Sequence, residues 1–527
     1  MSKVMQLEEG NDGLEDRPSY YADRVGAEVV AAKTIAERKA GGLYLTPVEV
    51  ADFMASFVAA HGDSIRILDP AAGSGTLLCA VVERLASADK PFREAELTAY
   101  ETDPDLQDSL SGVVGNLKRW AAKRHITVQT RIERQDFLLA HAEILTATHQ
   151  LFRRQSAPLF DLIMANPPYF KIPKSDRRAK AATSVVHGQP NIYALFMAVG
   201  AAVLRQGGEF LFVTPRSFAS GPYFRLFREK FFANIRPTDI HIFDSRRKAF
   251  GRDEVLQENI ILKGIRDDGW QGRTAPFKLH ISSSAGIIDL EHPSRRSLPL
   301  EDALDANSAE KVLRLPVLRD EDEAVRLVDS WTGSLHRYGM NISTGPVVPF
   351  RATEFLDDTG VPADSYVPLI WMNHVHAMRI SFPNGTRKPQ YIKRSASERS
   401  LLLPNRNYVL LRRFSAKEEA RRLVAAPWLK QARACPLVGI ENHLNYIYRP
   451  AGELDEDEAC GLAALLNSTL LDTYFRVSSG NTQVSASELR AMPLPPRDII
   501  LSIGRRARTM TAGKALDDAV RDAIDPR

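Results

Sequence analysis

Cysteine is nearly absent: 527 residues contain three, Cys79, Cys435 and Cys460, far apart and with no CxxC pair. That scarcity argues against a disulfide framework and a structural zinc site, and for a reducing cytoplasm. No apolar run approaches the length needed to cross a bilayer, and the first twenty residues are acidic and polar, unlike a signal peptide, so no membrane partner is expected. Strong net charge is missing too: the formal charge is +4 and the isoelectric point about 8.8, which permits a polyanionic partner without demanding one. Neither GxGxxG nor GxxxxGK[ST] occurs, which removes the ordinary dinucleotide and P-loop signatures. There is no internal repeat. No Pro-Cys pair stands where a cysteine nucleophile would act, which excludes cytosine-C5 methylation.

What is present is globular: 44% hydrophobic and 25% charged residues over a length that exceeds one ordinary core. Residues 1–40 read as a loosely helical arm. From 41 onward, "GGLYLTPVEVADFMASFVAAHG" has a helical stripe at Val50, Phe53, Met54, Phe57 and Val58, with Thr46 as expected N-cap, Glu49 completing a capping box and Gly62 as stop. Strand-like and helix-like stretches then alternate over about 230 residues: "SIRILD", "LTAYE", "ITVQTRIE", "LFDLIMA", "EFLFVTP", and a closing pair "DIHIFD" and "ENIILKGI". This rhythm predicts a doubly wound α/β sheet. A helix "IYALFMAVGAAVLRQGG" is expected to stop at its glycines. The rhythm breaks after about 270. The expected organisation is an arm at 1–40, a catalytic domain at 41–295 and a mixed α+β domain at 296–527.

Three expected strands end in an acid: Asp69 before the glycine turn "PAAGSGT", Glu101, and Asp136 followed by Phe137. Open α/β sheets bind ligands at those carboxyl ends, where an acid can accept from a ribose diol or an amino group and an aromatic can cover a purine. The fourth strand stops at "ANPPYF". Prolines cannot donate to a ladder, so Asn166 is followed by a rigid turn, Pro167 and Pro168, and then Tyr169.

The ordered motifs "GGLYLTPVEVADFM", "ILDPAAGSGT", "YETDP", "QDF", "ANPPYF" and "NIYALFMAVGAAVLRQGGEFLFVTP" resemble the gamma-class DNA adenine-N6 methyltransferases of restriction–modification systems. The resemblance spans residues 41–265, and NPPY is its specific element. It implies an S-adenosylmethionine-dependent methyltransferase sheet followed by a target-recognition domain. It implies S-adenosyl-L-methionine as methyl donor and no metal. The cofactor would be held by Tyr44, Thr46 (its carboxylate end), Asp69 with the loop Ala71, Gly73 and Gly75 (the methionine moiety), Glu101 (ribose), and Asp136 with Phe137 (adenine), with Asn166 at the border.

Catalysis would fall to Asn166, Pro167, Pro168 and Tyr169, with Phe250 as a second aromatic around a flipped adenine. Double-stranded DNA is the expected partner, with a restriction endonuclease on a separate chain: the arm is too short for a nuclease domain and no acid-plus-ExK cluster stands out. An RNA adenine methyltransferase is the nearer alternative. A glutamine methyltransferase acting on release factors also uses NPPY but lacks need of "LYLTPVEV" and the long basic C-terminal part. That part carries Arg and Lys interleaved with Tyr, Phe, Asn and Ser, a composition suited to phosphates and base edges.

Overall fold

The structure is a computed structural model and describes residues 17–59, 62–88, 92–146, 160–185, 190–243, 259–273, 275–306, 308, 310–357, 365–415, 419–430, 435–479 and 483–525. The chain divides into two compact units, one up to Val317 and one from Leu318.

The first unit is built on a nine-stranded sheet. In chain order its strands are β1 (Ser64–Asp69), β2 (Glu94–Tyr100), β3 (Thr127–Glu133), β4 (Phe160–Ala165), β5 (Leu204–Pro215), β6 (Ile235–Phe243), β7 (Asn259–Arg266), β8 (Lys278–Ser284) and β9 (Ser294–Pro299). Their spatial order is β3-β2-β1-β4-β5-β7-β6-β8-β9. β1 to β5 are parallel, and β7 runs antiparallel to both β5 and β6. The strand order reverses between β1 and β4, the switch point at which open α/β sheets leave a crevice.

The helices flanking these strands are α1 (Pro18–Ala32), α2 (Ile35–Gly41), α3 (Val48–Ser56), α4 (Thr76–Ala86), α5 (Pro104–Ala122), α6 (Phe137–Ala140), α7 (Arg177–Ala181), α8 (Ile192–Val203) and α9 (Arg225–Asn234). Because side chains alternate along a strand, β4 and β5 each serve two cores. Leu162, Met164, Leu211 and Val213 join α3, α4 and α5 on one face. Ile163, Ala165, Phe210 and Phe212 join α8 and α9 on the other. Covering on both faces is why "FDLIMA" is apolar almost without interruption, and α8 is buried at every residue.

The expected arm at 1–40 is corrected from Pro18 onward: α1 is bolted to the catalytic unit. Ser19 donates from its backbone nitrogen (2.7 Å) and its hydroxyl (2.9 Å) to the carboxylate of Glu83 on α4. Arg17 bridges the same Glu83 (2.7 Å) and Asp52 on α3 (2.6 Å). Two further expectations fail locally. α3 begins after Pro47 with no side-chain cap from Thr46, and it ends at Ser56, short of Gly62. α8 stops at Val203, and β5 takes over at Leu204, ahead of the glycines.

The boundary also moves from 295 to 317. β9 pairs with β8, and Leu279, Ile281, Leu298 and Leu300 enter the core beside α8 and α9, so the turn-rich stretch between them is a connection within the sheet.

Among the described residues the second unit holds two small sheets, a two-stranded ribbon of Val375–His376 against Arg379–Ile380, and a group of helices. One sheet orders Asn341–Thr344, Leu444–Tyr448, Tyr408–Arg412 and Ala425–Trp428, all antiparallel. The other orders Leu356–Asp357, Tyr391–Lys393, Tyr366–Ile370, Leu437–Ile440 and Leu402–Pro404. Buried Glu458 ties its helix down by accepting from Arg449 (2.8 and 2.9 Å) and Arg497 (2.6 Å).

Candidate active site

A pocket opens where β1, β2 and β4 end. Tyr44, Ala71, Gly73, Glu101, Asp136, Phe137, Asn166 and Pro168 all line it. The turn after β1 is tight: Gly73 and Gly75 sit at φ +56° and +86°, in the left-handed region that glycine adopts without steric cost. Gly75 also has a packing reason of its own, since a Cβ there would meet Leu110 of α5 at 2.7 Å.

The acids at the strand ends differ in environment. Glu101 accepts from the backbone nitrogens of Gly73 (2.9 Å), Thr102 (2.7 Å) and Asp103 (2.8 Å), which fixes the glycine turn against the end of β2. Burial still raises its carboxyl above the ordinary range. Asp69, the last residue of β1, is fully buried; Oδ1 accepts from Ala71 (3.0 Å) and Oδ2 has no partner among the described residues. Desolvation pushes its carboxyl up to about 7.

Asp136 caps α6 by accepting from Leu139 (3.0 Å) and also faces Arg178 Nη1 on α7 (3.3 Å). Phe137 stacks on Phe196 of α8 at 5.6 Å and meets Tyr100 edge-on at 5.1 Å, giving the pocket an apolar wall.

Asn166 stands at the end of β4, its side chain almost entirely buried. Nδ2 donates to the carbonyl of Tyr44 and to Thr46 Oγ1, both at 3.1 Å. That is the role Thr46 plays in place of helix capping. With Nδ2 engaged twice, the orientation of the amide is fixed, and Oδ1 faces the hydroxyl of Tyr169. The same hydroxyl reaches the carbonyl of Val213 on β5 at 2.9 Å. It is deeply buried, which raises its pKa, while the ring is only half-buried beside Tyr193.

Pro167 is buried and Pro168 half-buried. Gly42 at φ +60° lets the preceding segment press on this turn: a Cβ there would meet the Phe170 ring at 2.7 Å and Pro168 at 3.1 Å.

Eight of the residues expected from sequence therefore line one crevice; Thr46 and Tyr169 are joined to it through Asn166, Asp69 and Pro167 neighbour lining residues in the chain, and Gly75 stands at the head of α4. Phe250 lies outside the described residues. The reading of the sequence missed Arg178, whose only signal was its place in a basic stretch after the NPPY turn, and Phe196, which looked like one more apolar residue of a helix. Among the described residues no group of three or more His, Cys, Asp or Glu side chains is arranged to hold a metal ion, and no helix is long and apolar enough to cross a membrane.

A doubly wound sheet of this order, with an acid-lined glycine turn at its switch point and NPPY on the neighbouring strand, defines a methyltransferase catalytic domain. Residues 90–250 match the model of the Eco57I restriction-modification methylases. The chain is 33% identical over 465 residues to the type II methyltransferase M.BsuBI of Bacillus subtilis, covering 88% of this chain and 89% of that protein. It is 32% identical over 466 residues to the type II methyltransferase M.PstI of Providencia stuartii, with the same coverage. Among solved structures, the type IIG restriction endonuclease BpuSI aligns at 14% identity over 96% of this chain and 68% of its own, with a TM-score of 0.43. The chain belongs to the type II restriction–modification methyltransferases.

Proposed function

We propose that this protein methylates N6 of an adenine extruded from double-stranded DNA, using S-adenosyl-L-methionine, with the second unit reading the target sequence. The observation that carries the reading is the fixed amide of Asn166, followed by the rigid Pro167–Pro168 turn at the switch point.

The residues suit the cofactor. Asp69 Oδ2 is a buried acceptor with no donor among the described residues, and an ammonium group is the kind of donor that satisfies it. Glu101 would face the ribose hydroxyls. Asp136 and the Phe137–Phe196 wall would take the adenine ring. Thr46 Oγ1 already accepts from Asn166, and its hydroxyl proton remains for a carboxylate. When bound, the cofactor supplies an electrophilic methyl group on a sulfonium.

An exocyclic amino nitrogen is a poor nucleophile because its lone pair is delocalised into the ring. Asn166 Oδ1 and the carbonyl of Pro167 would accept its two hydrogens, drawing the nitrogen toward tetrahedral geometry and stabilising the positive charge that develops. Oδ1 has two lone pairs, so it can serve Tyr169 and the substrate together. Extrusion is required because a paired, stacked adenine cannot bring this nitrogen to the strand ends, and the half-buried ring of Tyr169 offers a stacking face. A nuclease acting with this enzyme would be a separate chain.

Methylation-sensitive sequencing of DNA from cells expressing the protein tests the reading. N6-methyladenine in one sequence context is expected. Unmodified DNA, or modified cytosine, would sink it.

A further inference from the structure

The NPPY turn leads, one residue later, into a segment whose outward charge has no task in the site described above. Residues 171–180, "KIPKSDRRAK", hold five Lys and Arg against one Asp, in a chain whose totals nearly balance at 69 and 65.

The segment is built into the first unit. Ile172 N donates to Pro190 O (3.0 Å), Ile192 N to Phe170 O (2.9 Å) and Lys180 N to Asp176 O (3.0 Å). Just beyond it the Ser184 hydroxyl donates to Leu145 O at 2.6 Å. Ile172 and Ala179, with Ala182 and Val185 after them, are buried in the core beside α8. With its backbone held and its apolar residues turned inward, the segment presents its cations in an ordered array.

Those cations divide into two sets. Arg178 is engaged within the protein: Nη2 donates to Asp176 Oδ2 (2.7 Å) and Nη1 faces Asp136 Oδ2 (3.3 Å). Lys171, Lys174, Arg177 and Lys180 are exposed, and none of the four has an acidic partner among the described residues. A single exposed lysine is ordinary surface. Four unpaired cations on ten consecutive residues make a local positive field that attracts a polyanion.

Their position says which part of a polyanion they meet. Phe170 and Arg178 both line the pocket at the strand ends. Lys171 and Arg177 are their chain neighbours, about 3.8 Å away from Cα to Cα, so the charged array begins at the border of the pocket. A base that enters the pocket stays bonded through its sugar to two phosphates. These charged groups favour water and stop at the mouth.

Resting on the reading of this protein as a DNA methyltransferase, we infer that Lys171, Lys174, Arg177 and Lys180 form a ledge that binds the backbone phosphates flanking the extruded adenine. The contact is with backbone charge and carries no sequence information. Because the ledge follows the NPPY turn directly in the chain, it holds the extruded strand in place beside Asn166.

The test measures dissociation constants of the full chain, saturated with S-adenosylhomocysteine, for a duplex bearing the methylated motif at several salt concentrations. The variant Lys171→Gln, Lys174→Gln, Arg177→Gln, Lys180→Gln is expected to keep its cofactor affinity and its motif. Its plot of log affinity against log salt should be shallower by about 1.8 to 3.6, as the loss of two to four phosphate contacts gives. Lys118→Gln removes an exposed cation from α5, on the opposite face of the sheet, and should leave the slope as it is. Wild type is also tested on duplexes with one phosphate at a time replaced by a neutral methylphosphonate. It should lose affinity at linkages beside the target adenine, and the fourfold variant should be indifferent to them.

A fourfold variant with the wild-type slope overturns the inference, as does wild type indifferent to neutral linkages on either side of the target. An altered motif overturns it too, since it would make these residues base readers. Wild type that leaves no methylated adenine overturns the enzymatic reading itself, so the two failures are distinguishable.

Discussion

The hydroxyl of Tyr169 sits on Oδ1 of Asn166, the oxygen that the proposed chemistry assigns to the substrate amino group, while the same hydroxyl reaches Val213 O at 2.9 Å. The tyrosine is thus held by its polar tip, and its ring is the part left to meet a base. Removing the tip and removing the ring should have separable effects. Tyr169→Phe should lower kcat by only a few fold, in line with a net hydrogen bond worth about 0.5–1.5 kcal/mol. Tyr169→Ala should cost tenfold or more, since base–aromatic stacking contributes about 1–3 kcal/mol. Equal losses in single-turnover methylation would mean that the hydroxyl, not the ring, carries the function.

Asn166→Ala should reduce methyl transfer by a hundredfold or more, the loss of about 2.7–4 kcal/mol typical of a removed electrostatic acceptor or donor. Cofactor affinity, measured by calorimetry, should change little. Near-normal turnover would refute the mechanism.

Thr46 serves two roles. Because its hydroxyl accepts the 3.1 Å bond from Asn166 Nδ2 and keeps its proton for the cofactor carboxylate, Thr46→Val should lower kcat about five- to tenfold, the loss of roughly 1–1.5 kcal/mol, and weaken cofactor affinity by a similar factor. We expect this pattern. A variant with normal kcat and weak cofactor binding would assign Thr46 to the cofactor alone.

Asp69 predicts a pH signature. Burial disfavours the charged form and pushes its folded carboxyl up to about 7 from the ordinary 3.8. The native state therefore binds more protons than the unfolded one between those values, and the group's contribution falls as pH rises through that window and stays lost above 7. At its upper limit the effect is on the order of 4 kcal/mol. Asp69→Asn should be more stable than wild type at pH 8, and the gap in Tm should close toward pH 4. A gap independent of pH would show that Asp69 is not ionising in place.

Arg178→Ala should weaken cofactor binding by a few fold while leaving kcat at saturation near wild type. The Arg178–Asp136 contact at 3.3 Å is partly exposed, and such pairs contribute modestly. An unchanged dissociation constant would reduce Arg178 to a partner of Asp176, whose carboxylate accepts from its backbone nitrogen (2.8 Å) and its Nη2 (2.7 Å).

The sheet and its crevice were legible because each rests on local pattern. Doubly covered strands such as β4 are continuous apolar runs, and a glycine turn or a paired proline marks where a strand must stop. What escaped was set by partners distant in the chain. The pull of Glu83 on Ser19 and Arg17, 64 and 66 residues away, turns an expected arm into a packed helix. Asn166 reaches Thr46 across 120 residues and diverts it from capping. Arg178 meets Asp136 across 42 residues. β9 was hidden for a different reason: it is short and mostly exposed, so it has neither the apolar run nor the alternation that announces a strand.

β1 and β4 are paired in register, Ile67 opposite Leu162 and Leu68 opposite Ile163. Asp69 ends one strand and Asn166 follows the other, so their separation is counted in backbone units, about 4.8 Å across the ladder and about 3.3 Å along it. The sheet acts as a ruler with the two proposed site residues at fixed marks. Side-chain substitution can change what stands at a mark, but it cannot slide one mark past the other without breaking the ladder between them.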